Sequence, residues 1–333
     1  MEIKEAILDI EINQVKVFLA SFNLRYEQDI DKTLYIEEND KIIATISKSK
    51  DIIKCLAISS DYQSENLSSI LISKILEKMR EENIHSYMVF TKAIYENTFI
   101  NLGFKKLVNT SNTVMLEGGV DSIEDTIKRM KVKINAEYGS VNQDIQIGSI
   151  VMNANPITLG HQYLIEKSSL ENDLTLVFVV EEDNQEFDFQ SRYSLVYLTC
   201  KKYENVVVLP ASKYIVSKST FPTYFLSEDI VDNEVSLIDG LIFKKYFMEQ
   251  LNISKRYVGS EVKEKMNDYN MTLKTILEDK LVLLDRISFE GQVVSASYVR
   301  ELLKKGSIEE ALKYIPRECH SIFKMITYGK YSK

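Results

Sequence analysis

The sequence predicts an α/β protein built in two parts, and three observations carry that reading. Its 333 residues exceed what a single hydrophobic core ordinarily serves, so two domains are expected. The hydrophobic period changes near residue 145, from hairpin strands interleaved with helices to a regular strand, helix, strand alternation. Between these regions, residues 121–136 form a charged amphipathic pattern that reads as a connecting helix. The expected boundaries are 1–118 for the first domain, 119–144 for the connector and 145–333 for the second domain.

Within the first domain, residues 1–25 have the spacing of an amphipathic helix, and 33–38 with 41–47 alternate as a hairpin around Glu38-Asn39-Asp40. A strand follows at 52–58. Leu67, Ile70, Leu71, Ile75, Leu76 and Met79 then recur at helical spacing with charges on the other face. A strand at 87–91, a short helix over 94–101, the turn Leu102-Gly103-Phe104 and a strand at 114–117 lead to Gly118-Gly119. In the second domain IGSIVMNAN is a strand, HQYLIEKSSLE a helix, LTLVFVVEE a buried strand, SRYSLVYLTCKKY a helix and NVVVLPA a strand. That order specifies a parallel sheet with crossover helices. No internal repeat relates the halves.

Composition excludes several classes of function. With 41 Lys and Arg against 49 Asp and Glu, the net charge of −8 disfavours a general nucleic-acid binder, whose affinity accumulates from basic contacts to phosphates. A small anion in a local pocket remains compatible with it. The apolar run LTLVFVV falls far short of the roughly 20 residues that span a bilayer, so no membrane helix is expected. MEIKEAILDIEI mixes acids among its apolar residues, unlike a secretory signal, and a cytoplasmic protein is expected. Cys55, Cys200 and Cys319 are too few and too far apart for a disulfide framework or a CxxC metal site, and read as reduced thiols. The acidic run Glu181-Glu182-Asp183 reads as a solvated turn, and no protein-held metal site is expected.

The most informative segment is SIVMNANPITLGHQYLIEKS, where a strand ends at Asn153-Ala154-Asn155-Pro156 and a helix starts near Gly160-His161. Ligands of open α/β sheets sit at this point. Helix-start amides and the positive end of the helix dipole favour a phosphate there, with Thr158 and His161 as added donors. Gly160 lets the backbone approach a triphosphate, and His161 can hydrogen-bond an oxygen whose charge grows during displacement at phosphorus. Near the C-terminus, VVSASYVRELLKKGSIEEALKYIP brings Ser295 and Ser297 to the start of a helix carrying Arg300, a second anion clamp. Gly306 stops that helix, Ser307 and Glu310 read as a capping box, and Pro316 closes the next helix. A lone histidine at a helix start ordinarily caps its own backbone, and lone serines ordinarily cap helices. The two segments together favour a phosphate site.

TLGH resembles the (H/T)xGH motif of the nucleotidyltransferase superfamily, and VSASYVR resembles its ISSTxxR motif. The longer strings VMNANPITLGHQYLIE, SKSTFPTYFL, RYVGSE and VVSASYVRELL resemble the citrate lyase ligase family along the length of the chain. That resemblance implies a C-terminal Rossmann-like parallel-sheet nucleotidyltransferase domain and an ATP-dependent, AMP-forming acid–thiol ligase. Acetate would attack the α-phosphate of ATP, pyrophosphate would leave, and the thiol of the prosthetic group on the citrate lyase acyl carrier protein would take the acetyl group. ATP and Mg²⁺, the latter bound mainly through the phosphates, are the implied cofactors. Carried over by motif, His161, Thr158 and Arg300 are the catalytic residues, and Asn153, Asn155, Pro156, Gly160, Arg192, Gly259, Ser295 and Ser297 contact ATP. Thr220, Phe221, Pro222 and Tyr224 are candidates for the acetate or pantetheine pocket.

Residues 30–118 resemble the GNAT acetyltransferase fold through LAISSDYQSENLSSILISKILEKM and YENTFINLGFKKL, which makes the first domain GNAT-like. In that family a Q/RxxGxG/A loop binds the pyrophosphate of acetyl-CoA. Here Gln63 is kept, Asn66 stands at the glycine position and Ser68 at the last small position, which argues for docking over acetyl-CoA catalysis. Three alternatives to the ligase stay open: an adenylyltransferase acting on pantetheine phosphate or a mononucleotide, a noncatalytic carrier-binding regulator, and an active acetyltransferase in the first domain.

Overall fold

Two hydrophobic periods in one chain should build two sheets, and they do. The computed structural model describes residues 2–63, 66–141, 144–182, 185–218, 220–260 and 264–331, without the side chains of 264–267. One structural unit comprises Met1–Ser122 with Phe221–Ile238, and the other comprises Ile123–Thr220 with Asp239–Lys333. The charged helix expected as a connector belongs to the second unit, and a stretch of the later sequence belongs to the first.

The first unit runs β1 (Ile3–Glu5), α1 (Asp9–Ala20), β2 (Lys32–Glu38), β3 (Lys41–Ser49), β4 (Ile52–Ile58), α2 (Leu67–Glu81), β5 (Ser86–Lys92), α3 (Glu96–Asn101), β6 (Lys105–Asn109) and β7 (Thr113–Gly119). Its sheet has the order β1-β2-β3-β4-β5-β7-β6. The helix expected over 1–25 starts only at Asp9, because Ile3–Glu5 pairs with β2 and the Glu11 carboxylate accepts the amides of Ile7 and Leu8, both at 2.8 Å, which sets the helix start. The β2–β3 turn holds Asn39 and Asp40 at φ of 49° and 59°, the two positive angles a tight hairpin requires. An isolated helix of α2's length is marginal in water. Leu67, Leu71, Ile72, Ile75 and Met79 hold it by packing on Leu34, Ile46, Ile53 and Val89 of the sheet. Asn66, at the position where the acetyltransferase loop has glycine, adopts φ 58°, a left-handed conformation asparagine tolerates. The sheet is antiparallel except at β4 and β5, which run parallel for only two residue pairs, Ile52 with Met88 and Ile53 with Val89. Beyond them Cys55 turns to φ 55° and the β3–β4 register shifts.

The second unit opens with α4 (Ile123–Glu137) and continues β8 (Ile147–Met152), α5 (Leu159–Glu171), β9 (Leu174–Val179), α6 (Phe189–Cys200) and β10 (Val206–Pro210). After α7 (Glu228–Ile242), whose last residues lie in this unit, and the π-helical turn of Phe243–Met248, come β11 (Lys255–Gly259), α8 (Glu264–Leu277) and β12 (Leu281–Leu284). A hairpin of β13 (Ser288–Phe289) and β14 (Gln292–Val293) leads to α9 (Ala296–Lys304), α10 (Ile308–Leu312) and α11 (His320–Tyr331). The five-stranded sheet is parallel throughout, in the order β10-β9-β8-β11-β12. Every residue of β9 is buried, as a strand covered on both faces should be. Ser307 makes no side-chain cap, contrary to the capping box read from the sequence. Its amide instead returns to Leu302 O at 2.9 Å through the turn at Gly306, φ 75°. Among the described residues no helix is long and apolar enough to cross a membrane.

Candidate active site

Strand order fixes where a ligand can sit. β8 comes first in the chain, with β9 and β10 on one side and β11 and β12 on the other, so the winding reverses between β8 and β11. Crevices open off the carboxyl ends of strands at such a switch point. The segments that leave these ends are Asn153–Thr158 after β8, Ser260 after β11 and Asp285–Ile287 after β12.

Thr158 stands at the N-cap of α5 and His161 one turn on. The imidazole Nδ1 accepts the Thr158 amide at 3.0 Å and lies 2.9 Å from Thr158 Oγ1. An acceptor at Nδ1 makes the neutral ring the Nε2–H tautomer, whose donor is not used by the Thr158 cap. Burial first, and then the charge of Arg286, hold its pKa down at about 4. Of the helix-start amides, that of Leu159 is taken by Tyr314 O at 2.9 Å, so fewer are open to a ligand than a bare N-terminus would offer. A Cβ built on Gly160 would meet only Thr158 Oγ1 at 3.5 Å and Val294 atoms at 3.6 and 3.8 Å, ordinary contacts. Nothing in the surrounding chain compels glycine there.

The second motif reaches the loop that leads into the first. Arg300 Nη1 donates to Asn155 O and its Nη2 to Ser297 Oγ at 3.1 Å, while Ser295 caps α9 by accepting the Tyr298 amide at 3.2 Å. Ser297 is exposed and Arg300 partly so. Beneath them, Asn155 accepts the Phe187 amide at 3.0 Å and donates to Gln185 Oε1, and the Asn155-Pro156 peptide is cis.

Arg192 is fully buried. It donates to the carbonyls of Asn153 (2.7 Å), Val180 (2.8 Å), Glu182 (2.7 Å) and Phe187 (3.1 Å), and to Asn153 Oδ1 at 3.0 Å. It therefore clips together the loops after β8 and β9 from below, a different position from the ATP contact that sequence reasoning gave it. Gly259 ends β11, with its carbonyl accepting Asn270 Nδ2 at 3.1 Å and open space where a Cβ would be. Thr220 closes a turn on Ser217, whose amide its Oγ1 accepts at 2.9 Å. Phe221, Pro222 and Tyr224, expected beside it in a substrate pocket, are buried within the first unit.

Two residues escaped the sequence reading. Glu182, taken there as part of a solvated turn, is 5% exposed and accepts Asn153 Nδ2 at 3.1 Å, Gln185 Nε2 and Ser217 Oγ. Asp183 lies outside the described residues. Arg286 donates from Nε to Ser260 O at 2.7 Å and brings a second guanidinium towards His161. Its signal was a basic residue in the turn after an edge strand of the same crevice. Cys200 and Cys319 are buried and free.

A parallel sheet whose first strand feeds a T-x-G-H helix start, with S-x-S-x-x-R at a second helix start, defines a Rossmann-like α/β domain, here joined to a second α/β unit. Residues 147–323 match the model of the citrate lyase ligase C-terminal domain. The chain is 30% identical to the [citrate [pro-3S]-lyase] ligase of Klebsiella pneumoniae over 90% of its length and 88% of that protein. It is 29% identical to the enzyme of the same name from Escherichia coli, over 91% and 87% respectively. The chain belongs to the citrate lyase ligase family. Among solved structures, the PaiA N-acetyltransferase of Thermoplasma acidophilum matches 36% of this chain and 100% of its own, at 12% identity and a TM-score of 0.30.

Proposed function

We propose that the second unit activates acetate with ATP and then acetylates the thiol of the prosthetic group on the citrate lyase acyl carrier protein. An acetate oxygen attacks the α-phosphorus, the bond from that phosphorus to the bridging oxygen breaks, and pyrophosphate leaves. The thiol then attacks the acetyl carbon and AMP departs with the carboxyl oxygen. The observation that carries this reading is the bond from Arg300 to the Asn155 carbonyl, in the switch-point loop that leads into Thr158 and His161, in a chain of this family.

Such a step needs positioning and charge stabilisation more than a general base. The Nε2–H of His161 donates to an oxygen that gains charge, and Arg300 with Ser295 and Ser297 holds the phosphates. Arg286 adds positive charge beside them. The donor set is cationic, which suits phosphate oxygens. When bound, Mg²⁺ supplies charge neutralisation on those oxygens. Arg192 and Glu182 hold the loops that carry these groups. A cytoplasmic setting, with ATP and reduced thiols, suits the reaction.

Pyrophosphate release from ATP and Mg²⁺ is expected to depend on acetate, and acetyl transfer to follow when deacetylated carrier is added. Release driven by pantetheine phosphate or nicotinamide mononucleotide would make the protein an adenylyltransferase instead. Gly160→Ala should leave the melting temperature unchanged, since its methyl meets only ordinary contacts. It should weaken ATP binding roughly tenfold, the cost of one methyl pressed on a phosphate. Unchanged ATP affinity, read by calorimetry, would remove Gly160 from the site.

A further inference from the structure

Two parallel strands that part expose unpaired amides and carbonyls along both inner edges, which a ligand or another piece of chain must satisfy. β4 and β5 part in this way after Ile53 and Val89. Phe90, two residues beyond Met88, offers its carbonyl on the same edge as Met88, because alternate residues of a strand address the same neighbour. An extended arm bearing amides and ending in a thioester has the shape and hydrogen-bonding groups to fill such a gap.

The gap is filled by the chain itself. Tyr224, 5% exposed, donates its hydroxyl to Phe90 O at 3.0 Å, and Phe221 meets the Phe90 ring edge-on at 5.3 Å between centroids. Burial raises the phenol's pKa well above its usual value, with the amide of Cys55 and the hydroxyl of Thr91 opposing the rise, so groups of both strands surround this oxygen. The segment is pinned at its backbone as well. Glu27 Oε1 accepts the Thr223 amide at 2.7 Å and its hydroxyl at 2.9 Å, Arg25 Nη2 donates to Thr223 O at 2.7 Å, and the Arg25 amide donates to Tyr224 O at 2.8 Å. Glu27 is itself held by the buried Lys54, at 2.9 Å.

We infer that residues 221–226 are a built-in plug in the opening between β4 and β5, so that the first unit takes up no acyl-thioester arm there and serves as a scaffold, not as an acetyltransferase. Hydrogen–deuterium exchange on the full chain tests this without reference to ligase activity. Peptides covering 221–226 should exchange slowly, and excess acetyl-CoA should change neither them nor those covering 52–58. Glu27→Ala removes the acceptor of Thr223 while Lys54 keeps Asp29 at 2.7 Å, so the unit stays folded and exchange over 221–226 rises about tenfold or more. Thr223→Val, which deletes only the hydroxyl bond, should give a smaller rise in the same peptides. Three results would overturn the assignment: exchange of 221–226 in the unaltered chain at the rate of an exposed peptide, release of 221–226 by acetyl-CoA with protection of 52–58, or no response to Glu27→Ala.

Discussion

His161→Ala is expected to slow acetate-dependent pyrophosphate release by about 10²–10³-fold while ATP affinity changes little, the signature of losing one donor used mainly in the transition state. The geometry makes a sharper statement about protonation. With Nδ1 accepting the Thr158 amide, the ring works as a neutral Nε2–H donor, and burial with Arg286 holds its pKa at about 4. The rate should therefore show no inflection from this residue between about pH 5 and 8, where an unperturbed histidine would titrate. An inflection near pH 6.5 that disappears in His161→Gln would sink this account. The same depression has a consequence for stability. Between 6.5 and about 4 the unfolded imidazole takes up a proton that the folded one refuses, so this group's contribution is present above 6.5 and is lost as pH falls through that window.

What could be read from the chain beforehand was local. The T-x-G-H segment follows a strand and opens a helix directly, so period and helix-start chemistry located it, and the periodicity of Leu67 to Met79 located α2. What escaped was set by distant partners. Thr223 and Glu27 stand 196 residues apart, and no pattern around either says that the segment after Thr220 belongs with the first sheet. Glu182 looked like a solvated acid because acidic turns usually are, yet Asn153, Gln185 and Ser217 from three separate loops donate to it. The strand at Ile3–Glu5 was absorbed into a helix because its pairing partner lies about thirty residues on, whereas the helical spacing after it is continuous.

Arg192 shows the same limit from the other side: expected at ATP, it lies fully buried among carbonyls of its own loops. Four of its partners are main-chain carbonyls, which carry no signature in a sequence. Arg192→Met keeps much of the apolar stem and deletes all of these donors, leaving buried acceptors after β8, after β9 and before α6 without the partner that gathers them. Each such loss costs about 1–3 kcal/mol. Part of that is offset because a buried charge is removed as well. A net destabilisation on the order of 3 kcal/mol is expected, which lowers the melting transition of the second unit by roughly 6–12 °C. Arg192→Lys should be nearly as damaging, because one ammonium cannot reach four carbonyls from a single stem. A residue that touched ATP directly would behave in the opposite way: lysine would preserve the charge, the melting transition would stay in place, and only nucleotide affinity would fall. Thermal unfolding of both variants beside calorimetric ATP titration therefore separates the two roles, and a lysine variant that melts like the unaltered chain would return Arg192 to the phosphates.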